Sequence, residues 1–143
     1  MGTHDRLVNL ELDACCLLCR DHNHLFFSCV VSKDIWTGVK DKMDTMTPSI
    51  GWNPFIQWIS TNWAGNSFPM RVRKLGLSMA IYCIWEERNR RFHTGSCASV
   101  NSIIAHVLDT IRGRLNTYTQ IQDNSENWSI QQRWSLAESI FSP

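Results

Sequence analysis

The sequence predicts a mainly α-helical protein: a helical domain preceded by a small N-terminal loop region built around a metal ion. Two observations carry this. Past Ser32, apolar residues recur at three- and four-residue spacing between glycine and proline punctuation. Ahead of it, four metal-ligating side chains crowd into fourteen residues. Strand-like sequence is confined to the stretch 25–31, Leu25 to Val31.

Cys16, Cys19, His24 and Cys29 stand at the spacing Cys-x2-Cys-x4-His-x4-Cys. Two cysteines two apart chelate from one tight turn, and the histidine and last cysteine approach from the opposite side. Three thiolates and an imidazole suit one tetrahedral Zn2+ ion. Spacing alone leaves His22 open as a substitute for His24, and Cys15 for Cys16, since each neighbour reaches the same ion. The six cysteines could instead form three bridges, but Met1 to Arg6 contain no apolar signal run. The expected location is therefore intracellular, nuclear or cytoplasmic and not secreted, where thiols stay reduced and a tight Cys/His cluster reads as metal-binding. Cys83 and Cys97, far along the chain, read as ordinary small apolar residues.

With 143 residues and 43% apolar character, the chain is long enough for one real core. Residues 1–45, the zinc-binding region with its following helix, and residues 46–143, a helical region, are expected to pack as one domain. A formal net charge of +1 gives no strong global field towards nucleic acid or membrane. No apolar stretch approaches the roughly 20 residues of a bilayer span, so no membrane partner is expected.

The helices follow in order. Ser32 caps a first helix, Lys33 to Met43, carrying Ile35, Trp36, Val39 and Met43 on one face. Asn53-Pro54 opens a second, with Phe55, Ile56, Ile59 and Trp63 in phase, and Gly65 to Ser67 ends it. Pro69 starts a long third helix. Its stretch Leu75 to Trp85 leaves no polar face for three turns and is expected to be buried all round. The run Glu86-Glu87-Arg88-Asn89-Arg90-Arg91 then turns charged, with Glu86 to Arg90 and Glu87 to Arg91 at the favourable i, i+4 order, and is expected to leave the core. Past Thr94-Gly95-Ser96, a fourth helix carries Val100, Ile103, Ile104, Val107, Leu108, Ile111, Leu115 and Tyr118 in phase, and it should pair with the third as the core. Ser129 begins a last helix, with Gln132 at the capping-box position, expected to be loosely attached. Seven tryptophans spread along the chain read as core filling between helices.

Taken in order, Thr3-His4-Asp5-Arg6-Leu7, Cys16-Leu17-Leu18-Cys19, His24-Leu25-Phe26-Phe27-Ser28-Cys29 and Ile35-Trp36 resemble the zinc-binding region at the C-terminal end of plant LINE-type, non-LTR retrotransposon reverse transcriptases. The string Ile84-Trp85-Glu86-Glu87-Arg88-Asn89-Arg90-Arg91-Phe92 is similar to the helix that follows in those proteins. The resemblance covers roughly residues 3–115. It implies zinc ligands Cys16, Cys19, His24 and Cys29, and it selects His24 over His22 because the family motif has histidine directly before Leu-Phe. One departure is the stretch Arg20-Asp21-His22-Asn23, shorter than the family's. The polymerase and endonuclease domains that lie upstream in that family are expected to be absent.

Catalysis is not expected. The chain offers no paired aspartates in a polymerase context and no glycine-rich phosphate loop, and four protein ligands would leave zinc no open position for water. RNA or DNA is the candidate partner. The cations for it are Arg71, Arg73 and Lys74 at one end of the third helix and Arg88, Arg90 and Arg91 at the other. The alternative is a structural or protein-interaction helical domain, a relic of a retroelement polyprotein, in which the same charges simply solvate a helix surface.

Overall fold

The computed structural model describes residues 30–48 and 50–143. Its elements are α1 (Val30–Met43), α2 (Trp52–Asn62), α3 (Phe68–Thr94), α4 (Val100–Leu115), α5 (Ser125–Trp134) and a terminal 3-10 turn, Glu138–Phe141. Among the described residues there is no strand. Val30 and Val31, the end of the strand-like stretch, are the first two residues of α1.

Local chemistry sets the helix ends. Ser67 caps α3 by accepting from the Met70 N–H at 3.4 Å, and Pro69 occupies the first turn, where a missing N–H costs nothing. Ser99 caps α4 through the Ser102 N–H at 3.1 Å, and Asn124 caps α5 through the Asn127 N–H at 2.8 Å. Gly95, at φ 71°, stops α3 in the left-handed conformation that glycine adopts without strain.

The core is a three-helix arrangement in which α3 runs antiparallel to both α1 and α4. Val31 and Ile35 of α1 meet Ile84 and Arg91 near the end of α3, while Met43 at the other end of α1 lies beside Val72 and Pro69. Likewise Ala98, Ser102 and Ile103 sit against Cys83 and Glu87, and the Tyr118 ring meets Phe68 at 6.0 Å. Ile35, Val39, Ala80, Val107, Ile111 and Leu115 are almost wholly buried between these helices. Gly38 permits the close approach of α1 to α4: a Cβ there would stand 2.8 Å from Ile104 Cδ1. Helix α2 lies over α1, with Phe55 edge-on to Trp36 at 6.3 Å and Trp63 fully buried.

Several expectations change. The first helix begins at Val30, ahead of Ser32, which is buried inside it. The last helix begins at Ser125, capped by Asn124, and it is held firmly: Ile130, Trp134, Leu136 and Ile140 are buried. The chain end is also tied back, as the Gln120 and Ile121 N–H groups donate to the Ser142 and Ile140 carbonyls at 2.9 Å, and Trp128 stacks on Phe141 at 4.2 Å. The third and fourth helices do pair, but α1 shares the core equally. Trp36, Trp63 and Trp134 fill core space as expected, whereas Trp85 is 52% exposed.

The largest difference concerns α3. Its apolar stretch is not buried all round: Tyr82 and Trp85 face outward. Its charged stretch does not leave the core: Glu87 and Arg91 are buried.

Candidate functional site

The expected zinc ligands Cys16, Cys19, His24 and Cys29, with the alternatives Cys15 and His22, lie outside the described residues. Among the described residues no group of three or more His, Cys, Asp or Glu side chains could hold a metal ion. Cys83 is buried, in keeping with a small apolar role, and burial followed by the nearby Glu86 carboxylate pushes its thiol pKa up. Cys97 is exposed in the loop between α3 and α4, contrary to an apolar role.

The six candidate nucleic-acid-binding cations all lie on α3, and each has a distinct setting. At the N-terminal end, the Arg71 guanidinium sits 4.4 Å over the Tyr118 ring. Lys74 Nζ donates to the Gly65 carbonyl at 2.7 Å, tying the α2–α3 loop to the helix. Arg73, 200° round the helix from Arg71 by the helical repeat of about 100° per residue, lines a cleft of about 180 Å³ with Asp44, Glu126 and Arg133. Arg71 and Lys74, three residues apart, therefore share one side of α3, each with its own partner, and Arg73 points away from both.

At the C-terminal end the arrangement centres on a carboxylate that the sequence reading treated as solvated. Glu87 accepts from Arg91 Nε at 2.6 Å, from the Ala98 N–H at 3.0 Å and from Arg90 Nη1. Arg91 Nη2 in turn donates to the Ala98 carbonyl at 3.4 Å. Arg91 is buried, and its loss of water lowers its pKa from the ordinary guanidinium value. Together these bonds fasten the end of α3 to the segment leading into α4. Of the two expected i, i+4 pairs, Glu87 with Arg91 forms as anticipated, while Arg90 turns to Glu87. Glu86 instead lies beside Tyr82 and raises that hydroxyl's pKa. Arg88 is half-buried and lines a recess with Val31, Ser32, Ile35 and Ile84.

The two cationic groups are also far apart. Lys74 and Arg88 are separated by about 21 Å along the helix at 1.5 Å per residue. A strand of nucleic acid could span that distance, but Arg91 and, in part, Arg90 are committed to Glu87 and cannot neutralise phosphate without releasing it.

Sequence reasoning missed Glu87 as a buried acceptor and missed the cleft between α1, α3 and α5, closed at its rim by the Arg133 to Asp44 ion pair at 3.2 Å. The signal for Glu87 was present: Ala80, Ile84, Glu87 and Arg91 follow the same i, i+4, i+7, i+11 phase as the core face. No signal pointed to the cleft, because its rim joins residues nearly 90 positions apart in sequence.

No family model, no curated protein and no solved structure matches the chain.

Proposed function

We propose that the chain is a non-catalytic zinc-binding module resembling the C-terminal region of plant LINE-type retrotransposon reverse transcriptases, with Cys16, Cys19, His24 and Cys29 holding one Zn2+ ion. One observation carries this reading: the ligand series runs directly into a helix anchored in the core. Cys29 immediately precedes Val30, the first residue of α1, and Ser32, Ile35, Trp36 and Val39 of that helix are buried. A helix N-terminus favours a thiolate, and a helix so anchored would give the last ligand a fixed base. Three thiolates and one imidazole are the donor set of a closed structural site.

Zinc in such a site contributes on the order of 10 kcal/mol to local order. The purified protein should contain one mole of zinc per mole. Chelation should open new proteolytic cleavage between Asp13 and Val31; Cys16→Ser should reproduce that effect and Cys15→Ser should not. A metal-free protein, or one indifferent to chelator, refutes the reading.

RNA or DNA is the partner through Arg71, Arg73, Lys74 and Arg88 if the module binds nucleic acid. The second reading, a structural or protein-interaction domain, is favoured by the commitment of Arg90 and Arg91 to Glu87. Titration with single-stranded RNA at low and raised salt separates them. Weak, steeply salt-dependent binding that Arg71, Arg73 and Lys74 changed together to Ala abolish supports nucleic acid. No binding at low salt supports the structural reading.

A further inference from the structure

Three segments far apart in the chain meet at the cleft between α1, α3 and α5. Asp44 stands just past the last residue of α1, Arg73 lies on the second turn of α3, and Glu126 and Arg133 lie at the two ends of α5. The buried residues Val72, Ile130 and Trp134 supply its apolar wall. The four charges are unequally satisfied. Arg133 and Asp44 hold each other at 3.2 Å on the rim. Arg73 and Glu126 line the same cleft without pairing, either with each other or, among the described residues, with any other charge. The half-buried Arg73 guanidinium donates only to the Met70 thioether, at 3.8 Å.

Charge and volume together select the occupant. Two cations and two carboxylates line the cleft, so their charges sum to zero. A ligand charged with one sign alone would be set against two like charges, and an uncharged one would leave Arg73 and Glu126 unpaired. A zwitterion satisfies both: the planar guanidinium fork matches a carboxylate, and the carboxylate of Glu126 matches an ammonium. The cleft volume of about 180 Å³ sets the size. It equals the liquid volume of about six waters at ~30 Å³ each and falls below the roughly 300–1,000 Å³ of sites for drug-sized molecules. A nucleotide or a folded peptide is too large. The apolar wall then favours a small zwitterion with a hydrocarbon or aromatic side chain.

We propose that this cleft binds a free α-amino acid with an apolar side chain, its carboxylate on Arg73, its ammonium on Glu126 and its side chain against Val72, Ile130 and Trp134. The site goes beyond the zinc reading and does not require the metal, because every residue of it belongs to the helical domain. Arg73 is shared with the candidate nucleic-acid cations, whereas Glu126 is not, so a variant at Glu126 separates the two.

Titration of the full, isotopically labelled chain with L-leucine, followed by amide NMR shifts, tests it. Saturable shifts in the millimolar range or tighter should centre on Val72, Arg73 and Ile130. N-acetyl-leucine, which has no ammonium, and leucinamide, which has no carboxylate, should each bind about tenfold more weakly, since each leaves one cleft charge unpaired. Glu126→Gln should abolish the preference for leucine over N-acetyl-leucine, and Arg73→Gln the preference for leucine over leucinamide. Such a paired change in selectivity is not produced by partial unfolding, and the ligand series on the parent chain stands even where a variant folds poorly. Absence of saturable shifts at Val72 and Ile130 overturns the proposal. Equal binding of the three ligands to the parent also overturns it, as do selectivities that persist in folded Glu126→Gln.

Discussion

The two consecutive stretches of α3 invert what their compositions suggest. Leu75 to Trp85, apolar in sequence, leaves Tyr82 and Trp85 about half exposed, while Glu86 to Arg91, the most charged run in the chain, buries Glu87 and Arg91. The cause is phase. A helix side is chosen by the 3.6-residue repeat, and Val72, Gly76, Leu77, Ala80, Cys83, Ile84, Glu87 and Arg91 form one continuous inward stripe. Where the stripe meets a charge, that charge is buried and must find partners; where an aromatic falls off the stripe, it faces water. Local composition tells how hydrophobic a stretch is, and only phase tells which of its residues are inside.

The sharpest way to break this contrast is to remove the carboxylate. Glu87→Ala strands the buried Arg91 guanidinium and the Ala98 N–H together, and breaking a buried pair by deleting one partner costs about 3–5 kcal/mol. Urea unfolding of the full chain followed by circular dichroism measures it. A cost below about 1 kcal/mol would mean that the charged stretch is peripheral after all.

The two arginines that hold Glu87 should separate next. Arg91→Ala removes a buried cation and its bond to the Ala98 carbonyl, and should cost about 2–3 kcal/mol as a buried charged hydrogen bond. Arg90, whose side chain is 42% exposed, should cost under about 1 kcal/mol when changed to Ala, since Arg91 still holds the carboxylate. Equal losses would show that the clamp is shared and that burial does not rank its members. The same measurement bears on nucleic-acid binding: changing Arg88, Arg90 and Arg91 together would unfold the clamp as well as remove charge, so loss of binding in that triple variant would be uninformative.

How much was readable follows from the same logic. The helices came out because each carries a periodic stripe, and α3 is punctuated as well, by Pro69 in its first turn and Gly95 after it; the starts read from Ser32 and Ser129 lie inside α1 and α5. The Cys/His spacing is an equally local signal, but it falls on residues outside the described fold. Glu87 was missed because its pair with Arg91 reads, on composition, as a charged surface leaving the core, whereas both continue the inward stripe, and its bond from the Ala98 N–H leaves no sequence signal. The tight attachment of α5 escaped for a different reason. Trp134, Leu136 and Ile140 read as a short apolar set, while the bonds that tie them in, from Ile121 N–H to the Ile140 carbonyl and from Ala137 N–H to Asn116 Oδ1, join segments about twenty residues apart. Separations of that kind leave no periodic trace.

The finest test uses two neighbouring residues in the apolar stretch. Cys83 lies on the stripe, 3% exposed, and Tyr82 lies off it, 54% exposed. Cys83→Ser places a hydroxyl in an apolar setting and should cost about 1–3 kcal/mol, whereas Tyr82→Ser should leave the unfolding midpoint unchanged despite removing far more side chain. The thiol adds a pH readout with a definite sign. Burial raises the Cys83 pKa, so the folded state keeps the proton more tightly than the unfolded chain does. The stabilising contribution is complete below the unfolded thiol pKa of about 8.5 and is lost as pH rises through the higher folded value. Cys83→Ser should therefore make the stability curve flatter above about pH 8.5, and Cys97, which is exposed, should be alkylated there well before Cys83. If Cys83 is alkylated as fast as Cys97 in the folded protein, or if Tyr82→Ser destabilises as much as Cys83→Ser, the inward stripe of α3 does not run where the burial pattern puts it.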